Sequence, residues 1–266
     1  MAEIAYHFSQ GHGPLLVSMP HVGTYLTPEV AADLNENGRL IKDTDWHLDQ
    51  LYNFLADMGV SRLMAHNSRT VIDLNRDAGG AILYPGQSET ELCPTTSFDN
   101  KPLYHEGYIL DQAEILRRKA AYWQPYHNKI RRELDRIKAQ FGYALLWDAH
   151  SIQSHVPRFF DGQLPDLNLG TGDGQSCDTK IAGELLSLAQ SSDYKAVLNG
   201  RFKGGYITRH YGDPGRNIHA FQLEISQITY MDEYPDFKFR EERAEKLRPL
   251  LKEVIDMFAT FKPENI

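Results

Sequence analysis

Short runs of consecutive apolar residues alternate along this chain with longer stretches in which apolar side chains recur every three or four positions. The runs fall at 15–19, 60–65, 69–73, 143–148, 195–198 and 217–225, and their length predicts buried strands. Between them, Leu48, Leu51, Tyr52 and Leu55 keep helical spacing in a segment that closes at Gly59. Ile181, Leu185 and Leu188 do the same within 178–190, and the clearest stripe is C-terminal: Leu247, Leu250, Leu251, Val254, Ile255 and Phe258. Residues 111–140 also read as helix, with Pro125 predicting a kink or break near Trp123-Gln124 because proline has no N–H to give. Strands that alternate with helices of this length predict an α/β fold, one domain over 1–266 with a mostly parallel twisted sheet flanked by helices. Two stretches, 78–107 and 152–177, lack periodicity and carry many turn residues. Loops of that length inside a compact domain usually serve as lids or binding loops.

Composition changes this picture little and narrows the partners. The 266 residues are 24% charged and 41% hydrophobic, ordinary for a globular chain. A net charge of −8 argues against nucleic acid or an anionic membrane as the main partner. No apolar run approaches the length of a membrane span, and Met1 to His7 has neither the basic region nor the apolar core of a signal peptide. With Cys93 and Cys177 the only cysteines, no disulfide framework is expected, and a reducing cytoplasm is the expected compartment.

The candidate chemistry sits where predicted strands end. The run 15–19 leads into Pro20-His21-Val22-Gly23, and the run from Tyr143 ends in Trp147-Asp148-Ala149-His150-Ser151. Ligands gather at the carboxyl ends of strands in open α/β sheets, so His21 and His150 are a candidate metal or catalytic pair. Each alone also fits a hydrogen-bonded structural histidine. Asp148 lies two residues before His150, on the same strand face, where a carboxylate can orient a ligating imidazole. Gly23 would let backbone approach a bound ligand closely. Asp45, in Asp43-Thr44-Asp45-Trp46-His47, is either a helix cap or a third ligand, and His47 is a further candidate. Asn75 and Arg76 follow the run 69–73 and suit carboxylate recognition, although a surface salt bridge is the plainer reading. Arg201 and Arg209 flank a glycine-rich loop that fits an anionic small substrate but lacks the phosphate-cradle pattern. Glu224 ends an otherwise apolar strand, where it either reaches solvent or has an affinity tuned for proton transfer. Two histidines and a carboxylate are a familiar set for catalytic zinc, with a nearby Glu to move protons.

Taken in order, these blocks resemble the N-formylglutamate amidohydrolase family. The resemblance runs through Pro20-His21-Val22-Gly23, Asp43-Thr44-Asp45-Trp46-His47, Val71-Ile72-Asp73-Leu74-Asn75-Arg76 and Leu83-Tyr84-Pro85-Gly86-Gln87. It continues through Trp123-Gln124-Pro125-Tyr126-His127, Asp148-Ala149-His150-Ser151-Ile152, Asn199-Gly200-Arg201-Phe202-Lys203-Gly204-Gly205 and Gln222-Leu223-Glu224. That family is similar in fold to zinc carboxypeptidases and aspartoacylase, so the resemblance implies a zinc-carboxypeptidase-like α/β domain. It implies His21 and His150 as ligands of one divalent ion, with Asp45 the third and His47 the fallback. Zinc is the expected ion, and iron, manganese and cobalt suit the same donors. It further implies Glu224 as general base and Arg76, beside Asn75, as a clamp on a substrate carboxylate, with Arg201 or Arg209 as second clamp. Carboxypeptidases place a Glu three residues after the first ligand His, whereas this chain has Thr24 there. The implied reaction is hydrolysis of N-formyl-L-glutamate to formate and L-glutamate in histidine degradation. The alternatives are a metal-dependent deacylase or peptidase for another N-acyl amino acid, and a non-catalytic binder of an acidic metabolite.

Overall fold

The computed structural model describes residues 4–83, 86 and 88–264, so Tyr84, Pro85 and Gln87 of the 83–87 block lie outside the described residues. Among the described residues are seven strands: β1 (Tyr6–Ser9), β2 (Leu15–Met19), β3 (Ser61–Ala65), β4 (Ala144–Ile152), β5 (Leu167–Gly170), β6 (Ala196–Leu198) and β7 (Ile218–Ser226). They join one mixed sheet in the order β1-β3-β2-β4-β7-β5-β6. The centre, β3-β2-β4-β7, is parallel; β1 runs antiparallel to β3, and β5 antiparallel to β7. The helices are α1 (Pro28–Asp33), α2 (Glu36–Arg39), α3 (Leu48–Leu51), α4 (Gln112–Arg118), α5 (Gln124–Phe141), α6 (Thr179–Gln190), α7 (Tyr206–Tyr211) and α8 (Glu241–Thr260). No helix among them is long and apolar enough to cross a membrane.

The two-residue period of the strands splits the core into two layers. Odd-numbered residues of the central strands (Leu15, Val17, Leu145, Trp147, Phe221, Leu223) pack with α3, α6 and α8. Even-numbered ones (Leu16, Ala144, Leu146, Ile218, Ala220) pack with α1, α5 and α7. Along this second face the character changes from one end of each strand to the other. Ala144 and Leu146 give way to Asp148 and His150, and Ile218 and Ala220 give way to Gln222 and Glu224. The register sets Asp148 beside Gln222 and His150 beside Glu224. The same strands therefore anchor the core at one end and present polar groups at the other.

Three local expectations need correction. The run 69–73 is a turn, not a strand: Val71 N–H bonds Ser68 O at 2.9 Å, and Arg69 closes on Asp73 at 2.6 Å. Val71, Ile72 and Leu74 still reach the core, so the apolar pattern reports burial and not extension. The stretch 152–177 contains β5, and β1 is a half-buried edge strand whose alternation is easily missed. At the expected break near Pro125, a five-residue π-helical turn (Lys119–Trp123) joins α4 to α5, with Gln124 N–H reaching back to Lys119 O. Such a turn places Pro125 where its missing N–H does least harm. Cys93 and Cys177 are both buried and free.

Candidate active site

His21 follows β2 directly, and its backbone oxygen accepts from Asp45 N–H at 3.0 Å, which ties the 42–47 loop to the end of that strand. Gln227 Nε2 holds the same loop by donating to Thr44 O at 3.0 Å. Gly23 packs against the turn that follows β3, where a Cβ would lie 2.2 Å from Asn67 O. The Asp45 carboxylate faces the two imidazoles instead of helix amides. Its Oδ2 lies 3.2 Å from His150 Nδ1 and 3.8 Å from His21 Nδ1. One donor atom from each of His21, Asp45 and His150 falls within a 4.8 Å group, and all three residues are buried.

The far side of each ring is held by a carboxylate. His21 Nε2 donates to Asp73 Oδ1 at 2.7 Å, and Asp73 Oδ2 accepts from Arg69 Nη2 at 2.6 Å. Asp148 Oδ1 lies 3.2 Å from His150 Nε2. With its Nε2 proton given to Asp73, His21 offers Nδ1 as a lone pair pointing into the group. That atom is buried and has no hydrogen-bond partner. An orphaned imidazole nitrogen beside a second imidazole and a carboxylate is a donor set that fits one divalent cation. The electrostatics of His21 agree. Burial, reinforced by Arg69, pushes His21 below the ordinary histidine value, which keeps the ring neutral as a ligand must be. Burial would raise the Asp73 carboxyl, but Arg69 and His21 more than offset it and hold it well below the usual range.

His47 does not join this group. It adopts a left-handed backbone (φ 58°) at the start of α3, and its Nε2 bonds Phe237 O at 2.8 Å. Thr24, at the position of the carboxypeptidase glutamate, is exposed. Asp45, and not His47, lies with the two histidines in the group that could hold an ion.

The group opens into a cavity with about 560 Å³ of empty space counted out through its open mouth. Glu224, Asn75, Arg76 and Arg201 all line it, together with Arg69. Burial pushes the Glu224 carboxyl up to about 8, with His150 pulling the other way and Asp45 adding to the rise. Arg76 is steadied by Thr90, whose carbonyl accepts from Nε at 2.9 Å and whose Oγ1 accepts from Nη2 at 3.2 Å. Arg201 Nε donates to Phe159 O at 2.8 Å. Arg209, the other candidate for a second clamp, is absent from the lining: it is exposed on α7, and its Nε donates to Gly204 O at 2.8 Å. Asn75 is fixed on three sides. Its N–H donates to Asp73 Oδ1 at 2.8 Å, its Oδ1 accepts from Ile207 N–H at 2.7 Å, and its Nδ2 lies 2.8 Å from His150 Nε2 and donates to Asp148 Oδ2 at 3.3 Å. Gly205 must be glycine for this packing, since a Cβ would fall 2.2 Å from Asn75 Nδ2.

Sequence reasoning missed the Arg69–Asp73 pair and the aromatic wall of Phe98, Phe159 and Phe202. The signal for the first lay in the Asp73-Leu74-Asn75-Arg76 block, but a run read as a strand concealed the i, i+4 contact. Nothing in the spacing marks the phenylalanines.

The sequence pattern that defines the N-formylglutamate amidohydrolase family matches residues 13–231. The chain is 52% identical to an N-formylglutamate deformylase of Pseudomonas aeruginosa and 50% identical to one of Pseudomonas putida, each over 259 residues and 97% of both chains. Its fold is similar to the crystal structure of an N-formylglutamate amidohydrolase from Ralstonia eutropha JMP134, with a TM-score of 0.80 at 24% identity over 96% of this chain and 98% of that one. It is also similar to a gene product of Agrobacterium tumefaciens, with a TM-score of 0.72 at 16% identity over 96% of each chain. With most of its length inside the family pattern and half its residues shared with curated relatives, the chain belongs to the N-formylglutamate amidohydrolase family.

Proposed function

We propose that this chain is a metal-dependent N-formylglutamate deformylase, which hydrolyses N-formyl-L-glutamate to formate and L-glutamate in the cytoplasm as a step of histidine degradation. The observation that carries the reading is that the His21–Asp45–His150 group opens into the same cavity as Glu224 and three arginines. The names of the two half-identical relatives support the substrate.

His21, Asp45 and His150 would hold one divalent ion, and zinc is our assignment for it. Bound there, it supplies Lewis-acid polarisation of the formyl carbonyl and makes water more acidic. The remaining chemistry belongs to side chains. Glu224 takes a proton from the attacking water and delivers it to the amide nitrogen as the C–N bond breaks. Formate leaves with the water's oxygen, and glutamate leaves with a free amine. Arg76 and Arg201 hold the two substrate carboxylates, so the small formyl group is turned toward the metal ligands. Phe98, Phe159 and Phe202 exclude water from the bound amide. Asp73 fixes the tautomer of His21, while Asp148 and Asn75 hold the His150 ring in place.

Two outcomes are expected. In a panel of N-formyl-L-glutamate, N-acetyl-L-glutamate and N-formyl-L-glutamine, the first has the highest kcat/KM, and loss of the side-chain charge costs at least about tenfold, the worth of one charge-assisted hydrogen bond. Equal use of the acetyl compound would move the substrate to another N-acyl amino acid. Asp73→Asn weakens metal affinity by about 10- to 100-fold, because His21 loses the carboxylate behind it. A metal titration that matches wild type would remove Asp73 from that role.

A further inference from the structure

The Trp123-Gln124-Pro125-Tyr126-His127 block has no place in the site described above, yet two of its side chains reach the segment that carries Asn75 and Arg76. Trp123 Nε1 donates to Arg76 O at 3.0 Å, and His127 Nε2 donates to Leu74 O at 2.8 Å. Because a carbonyl only accepts, His127 carries its proton on Nε2, which leaves Nδ1 to share the one Tyr211 hydroxyl proton, at 3.0 Å, with the His127 carbonyl at 3.1 Å. The imidazole is stacked on Trp123, with centroids 3.8 Å apart, and lies nearly parallel to Tyr211 at 5.9 Å. It is 3% exposed, and burial pushes it down to about 3, so it is a neutral donor throughout the working range of pH.

The two bonds fall on the carbonyls just before and just at the residues proposed to hold substrate. From the cavity side, Asp73, Asp148 and Ile207 grip the Asn75 side chain and amide. From the core side, Trp123 and His127 grip the backbone. Packing alone would not require this, since two phenylalanines fill similar space without donors. The π-helical turn ending at Trp123 sets the indole one helical turn before His127, so that both rings address the same segment.

We propose that Trp123 and His127 are positioning residues that lock the 74–76 backbone and so aim Asn75 and Arg76 at a substrate carboxylate. The proposal rests on the reading of Arg76 as a clamp. It goes further in assigning substrate affinity to two side chains that touch no substrate.

The test uses the metal-loaded enzyme with Trp123→Phe and His127→Phe, which keep a ring and remove the donor, and His127→Gln, which restores one. Each Phe variant is expected to raise KM for N-formyl-L-glutamate about tenfold, the worth of one buried hydrogen bond, with kcat and metal content within about twofold of wild type. His127→Gln is expected to recover most of the loss. In an Arg76→Ala background neither Phe change should raise KM further, because both act through the same clamp. If Arg76→Ala raises KM but the Phe variants do not, the proposal falls and the clamp stands. If Arg76→Ala leaves KM unchanged, both fall. Phe variants that lose metal, or lose kcat in step with the rise in KM, would mark the two residues as structural and overturn the proposal.

Discussion

Glu224→Gln is expected to bind metal as the wild type does and to lose about 10²- to 10⁴-fold in kcat, the usual worth of a positioned general base. The substitution keeps the shape of the side chain and removes only its capacity to carry a proton. Glu224 stands outside the three-residue donor group, so metal content should not change. KM should stay near wild type, since the lost interaction is made chiefly in the transition state. The carboxyl also leaves a signature in stability. Folded and metal-free, it sits at about 8 against an ordinary 4.5, so between those values the native state keeps a proton that the unfolded chain releases. Stability therefore falls as pH rises through that window. Glu224→Gln removes this contribution, so melting of the metal-free variant should depend less on pH between about 4.5 and 8 than melting of wild type. A bound cation favours the carboxylate and moves its titration down, toward the range where a general base must be ionised. Near wild-type turnover in this variant would contradict the assignment of Glu224.

His150→Ala is expected to abolish metal binding and activity together. The imidazole lies between two buried carboxylates, Asp45 at 3.2 Å from Nδ1 and Asp148 at 3.2 Å from Nε2. Burial works against charge on the ring, but Asp148 and Asp45 outweigh it and hold His150 well above the ordinary histidine value in the metal-free protein. Removing the ring takes the positive charge from between them, leaving Asp148 to Asn75 Nδ2 and Thr208 Oγ1, and Asp45 to His21 at 3.8 Å. The variant should also lose about 3–5 kcal/mol of stability, as when one member of a buried pair is deleted. His47→Ala is the matched control. It removes a neighbour of Asp45 that turns away to Phe237 O, so metal content and activity should survive. Elemental analysis and thermal melting of both variants check this. Retained metal in His150→Ala, or its loss in His47→Ala, would mean a different ligand set.

How far the site could be read from the chain depends on whether each residue's direction is a local or a global matter. His21 and His150 were legible because they end buried runs, and the period of β4 then puts Asp148 on the same face as His150. Glu224 was legible for the same reason, as one charge at the end of an apolar strand. Asp45 and His47 lie two residues apart in a loop, where no period assigns a direction. The contact from Asp45 N–H to His21 O and the left-handed turn at His47 send the two side chains in different directions, and both depend on the fold. Arg201 and Arg209 pose the same problem: one points into the cavity, and the other rides on a helix of six residues whose length the sequence does not announce. The parallel centre of the sheet followed from the alternation of elements. Its edges did not, because β1 is half exposed and β5 is four residues with Asn168 and Gly170 among them. The Arg69–Asp73 bond was hidden by a compact turn that buries Val71 and Ile72 as fully as a strand would.

The most direct test is the release of formate and glutamate from N-formyl-L-glutamate by chelator-stripped protein, measured before and after zinc is restored. The account predicts negligible turnover without metal and recovery at one ion per chain. Full turnover by the stripped protein would contradict it, because His21, Asp45 and His150 would then have no ion to hold.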